Sequence, residues 1–332
     1  MLKPIEPDQQ PENELTESSS SEEEIKPAIL PKPILMQDKK NWVRKSLLSL
    51  GIYAFLFYFI FDGDISYIAA VLVALLIHEF GHFFAMKAFN YSNVKLFVLP
   101  LLGAYVTGKK SIISQRQMSV VILAGPLPGI VIGFCLLVST LFFPNERIEM
   151  LGNIFFILNL FNLLPFVPLD GGRLLETLFI SHNHTIRVIF TVISIIVLAL
   201  VAILTHSLIF LIIPVSMIFD LIMEVKNQKI RDYLKQENIN FTSDYDSLPN
   251  TNYWTIRDCI LLSFNKRYAG IQAGVHQYSV LEGGLIQHVI AILKTPFIKD
   301  MTILEKIGII FTYTLFLVIL PIFTFILIKL IN

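Results

Sequence analysis

Charge and cysteine are what this sequence has least of. Asp, Glu, Lys and Arg make up only 16% of its 332 residues, against roughly a quarter in ordinary globular domains. The 26 basic and 26 acidic residues cancel, so no overall field recruits nucleic acid or a strongly acidic partner. The two cysteines, Cys135 and Cys259, lie about 120 residues apart, which excludes a disulfide framework and a cysteine-type zinc knuckle. The opening "MLKPIEPDQQPENELTESSSSEEEIKPAILPKP" lacks a basic stretch followed by an apolar one, so insertion is expected to begin at a later, retained helix rather than a cleaved leader.

Apolar residues are what fills the chain. They make up 54% of it, with a mean hydropathy of +0.66, the composition of a membrane protein. Residues 1–40, rich in Pro, Ser and Glu with almost nothing to bury, read as a disordered, solvated acidic tail in which "SSSSEEE" offers phosphate acceptors. Beyond it, apolar stretches at 47–61, 65–89, 118–143, 151–167, 188–204, 208–223 and 304–331 predict about seven spans. "THS" at Thr205–Ser207 marks the turn of a helical hairpin. The expected organisation is a membrane domain over 41–225, a polar segment at 226–302 and a C-terminal transmembrane helix at 303–332. The fold class is an all-α polytopic membrane protein in the lipid bilayer, and nothing in the sequence sets an oligomeric state.

Short basic loops mark the cytoplasmic side. Lys39, Lys40, Arg44 and Lys45 precede the first span and place the N-terminus inside. "FDGD" then falls outside, Lys87 to Arg116 inside, "PNERIE" outside, and Arg173 and Arg187 inside, with the polar segment on that same basic face.

Against this apolar background "HEFGH" at 78–82 stands out. On a helix His78 and His82 project from one face, close enough for both imidazoles to reach one metal ion, with Glu79 beside them as a proton acceptor. In that arrangement two histidines hold zinc and the glutamate takes a proton from water. Coincidence is disfavoured inside an apolar span, where each ionisable group costs several kcal/mol unless paired or bound. A catalytic zinc wants a third protein ligand. Asp170 in "NLFNLLPFVPLDGGRLLE" is the best candidate, because Pro165, Pro168, Gly171 and Gly172 break the local helix and turn a carboxylate back. Taken alone, "PLDGG" reads as a simple turn; beside "HEFGH" on an adjacent antiparallel span, the ligand reading is the stronger.

The chain resembles the site-2 protease family of intramembrane zinc metalloproteases through "HEFGH" at 78–82 and "NLLPFVPLDGG" at 162–172. The resemblance covers roughly residues 60–225, a three-span core whose middle member carries "AGPLPG". It implies one zinc per chain on His78, His82 and Asp170, Glu79 as catalytic base, and Asn162 positioning the substrate or stabilising the oxyanion. Asn162 also reads as a hydrogen-bonding strut. The implied partner is a transmembrane protein substrate, cut at an active site toward the cytoplasmic side.

Gly125, Gly129 and Gly133 form a flat helix face suited to close approach by the zinc-bearing helices. Segment 94–106, "VKLFVLPLLGAYV", suggests a re-entrant hairpin or an interfacial loop; in the family a nearby strand is thought to hold an extended substrate. His182, His184, His206, His276 and His288 read as surface or packing residues, and the acceptor patterns at Asn183 and Asn240 as unused. The short connection before the fourth span leaves no room for a PDZ domain, and the polar segment is too short for paired CBS domains. Within it, "GLIQHVIAILKTPFI" suggests a helix along the membrane surface. The function expected is intramembrane endoproteolysis. The alternatives are a silent pseudoprotease that binds transmembrane segments, and a metal transporter, which would need acidic or histidine residues on several spans.

The loop charges generate a topology test. With Cys135 and Cys259 replaced, single cysteines at Lys110 and Lys226 are expected to be shielded from an impermeant thiol reagent in intact cells, while one at Asn145 reacts. Labelling at Lys110 from outside reverses the orientation.

Overall fold

The computed structural model describes residues 30–34, 48, 51, 52, 55, 58, 64–99, 103–180, 183–205 and 211–331. Helix α1, Ile65–Ala88, starts where the Asp64 carboxylate accepts the amides of Ser66 and Tyr67 at 2.9 and 3.1 Å, satisfying two of the donors a helix leaves unpaired at its N-terminus. It stops at Phe89 and Asn90, the latter left-handed at φ 59°.

A hairpin follows: β1, Ser92–Leu99, pairs antiparallel with β2, Gly103–Lys109, from Ser92 opposite Lys109 to Leu99 opposite Gly103. The sequence suggested a hairpin here; its re-entrant placement is not confirmed. After the short strand β3, Ile113–Ser114, come α2, Gln115–Ala124, and α3, Pro126–Thr140. Pro126 at the first helical position lets α3 begin directly after Gly125. Helix α4, Glu146–Asn162, is capped by the Asn145 side chain. It ends ahead of Pro165 and Pro168, and α5, Asp170–Leu175, continues into a π-helical turn at Glu176–Ile180. Helix α6, His184–Leu204, is capped by Asn183, so that residue's side chain serves a backbone role.

Among the described residues, four segments are long and apolar enough to cross a membrane: Ile65–Ala88, Gln115–Thr140, His184–Leu204 and Ile303–Lys329. Seven spans are therefore not confirmed. The expected 151–167 span is the 17-residue α4, which starts earlier and stops at the proline loop; at 1.5 Å per residue it measures about 25 Å. The expected 208–223 span opens α7, Ile212–Gln236, whose second half turns polar. The stretch 47–61, His182 and His206 lie largely or wholly outside the described residues. The outer faces of α6 and of Ile303–Lys329 expose Ile189, Ile193, Ile196, Ile203, Ile307 and Phe311, a surface suited to lipid and not to water.

The polar segment folds into a helical module. It combines the end of α7 with α8, Asn250–Ser263, and α9, Glu282–Ile292, around buried Leu234, Tyr253, Trp254, Ile260, Leu285 and Val289. The expectation of a membrane-surface helix is corrected: Leu285, Val289 and Ile292 are fully buried in this core, so the apolar stripe that suggested lipid contact faces α7 and α8. Residues 30–34 dock on the module through Lys32, which the composition had assigned to a solvated tail; the rest of that tail lies outside the described residues. Strand β4, Phe297–Ile298, pairs in parallel with β3 and returns the chain to the membrane helices. There follow α10, Ile303–Thr314, a π-helical turn at Leu315–Ile319, and α11, Leu320–Ile331.

His288 is a packing residue, as expected. Its Nε2 lies 3.1 Å from Asn227 Oδ1 and its Nδ1 3.3 Å from the Tyr268 hydroxyl, with the ring against Phe264. Burial, aided by the Arg267 charge, pushes its pKa from 6.5 down to about 4. Between those values the unfolded chain takes up a proton that the folded module refuses, so stability falls as pH drops through that window. In a Trp42→Phe background, module unfolding followed by Trp254 fluorescence should lose roughly 2 kcal/mol between pH 7 and 5 with His288 present, and much less in His288→Gln. Equal losses in both remove His288 as the cause.

Candidate metal centre

Three side chains meet where α1, α2 and α5 pack together. The Nε2 atoms of His78 and His82 lie 3.2 Å apart, and Asp170 Oδ2 sits 3.0 Å from the first and 3.2 Å from the second. All three residues are at least nine-tenths buried. The structure thus brings together the three ligands expected from the sequence, across 92 positions of chain from His78 to Asp170.

Their tautomers follow from their outer partners. Asn159 on α4 donates Nδ2 to the Phe155 carbonyl at 2.7 Å, which leaves its Oδ1 facing His78 Nδ1 at 2.8 Å. An amide oxygen only accepts, so the proton of His78 sits on Nδ1. His82 Nδ1 meets the Val121 carbonyl at 2.8 Å, and the same logic applies. Both Nε2 lone pairs therefore turn toward the Asp170 carboxylate. Three lone-pair atoms crowded this closely repel one another unless a cation lies among them. Their separations fit the edge, about 3.3 Å, of a tetrahedron drawn at zinc–ligand bond lengths. Two imidazoles and a carboxylate also suit zinc by ligand type, so the residues present fit the ion.

Glu79 does not join the trio. It is 5% exposed and its Oε2 is buried without a hydrogen-bond partner. Asn162 does not touch the trio either: its Nδ2 donates to the Leu158 carbonyl on its own helix at 3.1 Å. Asn159 is the amide the sequence reading missed. Its signal was present in "NLFNLL", a second amide one turn earlier in an apolar helix, where a buried amide requires a partner.

Glycines make the convergence possible. A Cβ on Gly125 would run into the His82 imidazole, one on Gly129 into the Asn159 amide, and one on Gly133 into the backbone of Phe156. The flat face expected on the middle helix thus lies against α1, which carries both histidines, and against α4, which carries Asn159 and none of the trio. Asp170 is presented by a loop braced from two sides: Ser194 on α6 accepts the Val167 amide at 3.1 Å, and Tyr313 on α10 donates to the Leu163 carbonyl at 2.9 Å.

Removing the outer partner should loosen the metal without removing a ligand. Asn159→Leu is expected to raise chelator sensitivity of bound zinc by about 10- to 100-fold, and Gly129→Ala to do the same by displacing the amide. Zinc retention in competition with a chelator checks both; wild-type retention in Asn159→Leu shows that the amide does not orient His78.

Residues 66–148 match peptidase family M50, a segment that contains "HEFGH" and the glycine helix but stops short of Asp170. A protein of Methanocaldococcus jannaschii named a zinc metalloprotease is 34% identical over 111 residues, 32% of each chain. Stage IV sporulation protein FB of Bacillus subtilis is 28% identical over 139 residues, 40% of this chain and 48% of that one. The match thus spans about a third to a half of those relatives' lengths. The solved site-2 protease from Methanocaldococcus jannaschii aligns with a TM-score of 0.41 at 22% identity, over 54% of this chain and 86% of that one. Over residues 66–148 the chain is thus similar to peptidase family M50; that segment carries both histidines, and the described fold brings Asp170 to them.

Proposed function

We propose that this chain is a zinc-dependent intramembrane endopeptidase, carrying one zinc and hydrolysing a peptide bond within or beside a transmembrane segment of another membrane protein. The observation that carries this reading is the inward-facing trio of His78, His82 and Asp170, buried beside an unpartnered Glu79 on a helix apolar enough to span a bilayer.

Zinc held by the trio would supply Lewis acidity toward water and the scissile carbonyl. Asn159 and the Val121 carbonyl keep the two imidazoles in the tautomer that leaves Nε2 basic. Glu79 accepts the proton of the attacking water at Oε2 and returns it to the leaving nitrogen. Asn162, whose Nδ2 is held by Leu158, offers Oδ1 to a substrate backbone N–H, a positioning role. The substrate helix must unwind to present its bond. The β1–β2 hairpin, a two-stranded sheet among the described residues, supports capture of the extended strand by edge pairing.

The proposed topology puts the N-terminus, the 226–302 module and the mouth of the site in the cytoplasm. The docking of Leu30–Ile34 on that module supports it, since the two segments must share one face of the membrane.

The different jobs of the residues give the test. His78→Ala and Asp170→Ala should lose zinc. Glu79→Gln keeps the shape but cannot take the proton, so zinc should stay near one per chain while cleavage of a single-span substrate falls by about 10²- to 10⁴-fold. Wild-type cleavage by Glu79→Gln defeats the mechanism. Wild type that binds zinc and substrate but never cuts favours a silent binder.

A further inference from the structure

The five residues Leu30–Ile34, "LPKPI", lie against the module in a manner unlike ordinary tail packing. Every carbonyl from Leu30 to Pro33, apart from that of Lys32, receives an aromatic donor. Trp254 Nε1 donates to Leu30 O at 2.7 Å, the Tyr278 hydroxyl to Pro31 O at 2.6 Å, and the Tyr245 hydroxyl to Pro33 O at 2.7 Å. The prolines have no N–H to satisfy, and the intervening Lys32 N–H donates to Asn250 Oδ1 at 3.0 Å. An extended proline segment has no internal hydrogen bonds, so a groove of donors supplies what the peptide lacks. Trp254 stacks on His276 and Tyr278, with Arg257 over its ring, which fixes the groove wall.

Lys32 supplies selectivity. Its ammonium donates to the carbonyls of Tyr245, Asp246 and Leu248 at 2.5, 2.9 and 2.6 Å, and lies 5.2 Å from the Tyr245 ring centroid. Three donors meet three carbonyls of one turn. A compact ammonium fits that cage, whereas the planar fork of arginine does not.

We infer that the Tyr245–Trp254–Tyr278 groove is a recognition site for a Pro–Lys–Pro segment in extended, polyproline-type conformation, and that its resident occupant is this chain's own Leu30–Ile34. The site has a mechanical neighbour: Asp246, whose carbonyl holds Lys32, places its carboxylate 3.8 Å from Lys109 at the end of β2. Lys110 then donates to the Phe89 carbonyl at the end of α1, at 2.7 Å. The clasp therefore lies beside the base of the hairpin. None of this depends on the chain being a protease.

Trp42 and Trp254 are the two tryptophans, so Trp42→Phe makes Trp254 the sole reporter in the full-length chain in bilayer discs. A synthetic peptide of residues 28–36 should produce a saturable change in Trp254 emission when the internal ligand is disabled by Lys32→Met. The same chain with Lys32 intact should need at least about 10-fold more peptide, because a tethered ligand competes at millimolar effective concentration. A peptide with Arg in place of Lys should bind the Lys32→Met chain at least about 10-fold more weakly. Tyr278→Phe, which deletes one hydroxyl and keeps the ring, should weaken peptide binding in the Lys32→Met background without altering folding. No response to the peptide in the Lys32→Met chain, equal titrations with and without Lys32, or equal binding of Arg and Lys peptides would each overturn the assignment.

Discussion

The mutual repulsion of three lone-pair atoms in an apolar interior is the constraint on which this structure turns. His78, His82 and Asp170 present two Nε2 atoms and one carboxylate oxygen to the same point, all within 3.2 Å. Burial makes that arrangement costly without a cation and strongly attractive to one. The outer hydrogen bonds complete the bias: Asn159 and Val121 take the Nδ1 protons, so neither imidazole can relieve the crowding by presenting its N–H inward. The three side chains could hold a metal ion.

The surrounding architecture follows from getting those atoms close. Helix axes normally stand 8–10 Å apart because side chains intervene. Here Gly81 lies against the Ala124 carbonyl, Gly125 against His82 and Gly129 against Asn159, so the backbones approach until second partners reach the imidazoles. Asp170 comes from a different kind of element, a braced loop and a short helix, because a carboxylate must turn inward where a regular helix would carry it past. Gly171 and Gly172 lie against the backbone of Leu163, Phe166 and Val167 and let that reversal close.

Outside the bilayer helices the module obeys the opposite rule, with a conventional apolar core and a few fully compensated charges. Arg257 is 1% exposed, and Glu282, which meets its Nε at 3.1 Å, also accepts from Tyr253. Arg231 is likewise buried, pairing with Glu224 and donating to the carbonyls at the end of α9. These pairs fix how α7, α8 and α9 meet, and hence the aromatic groove that holds Leu30–Ile34. Asp246 and Lys109 connect that groove to the hairpin.

The sequence by itself carried the metal-ligand pattern and the resemblance to a family. Two histidines four residues apart with a glutamate between them share a helix face wherever that helix lies, so "HEFGH" was legible from local periodicity alone. Paired prolines followed by Asp and two glycines marked a turn, which pointed to a ligand only beside "HEFGH", and the glycine spacing suggested close packing. Long-range partnership was another matter. Which amide of α4 faces His78 depends on the rotation of α4 against α1, and packing put Asn159 there, while Asn162 bonds the Leu158 carbonyl. The apolar stripe of α9 has the same pattern whether it meets lipid or protein; only the fold of the module placed it in a core. Leu30–Ile34, set in a polar, proline-rich segment, carried no local sign of order, because its hydrogen-bond donors come from residues more than 200 positions away.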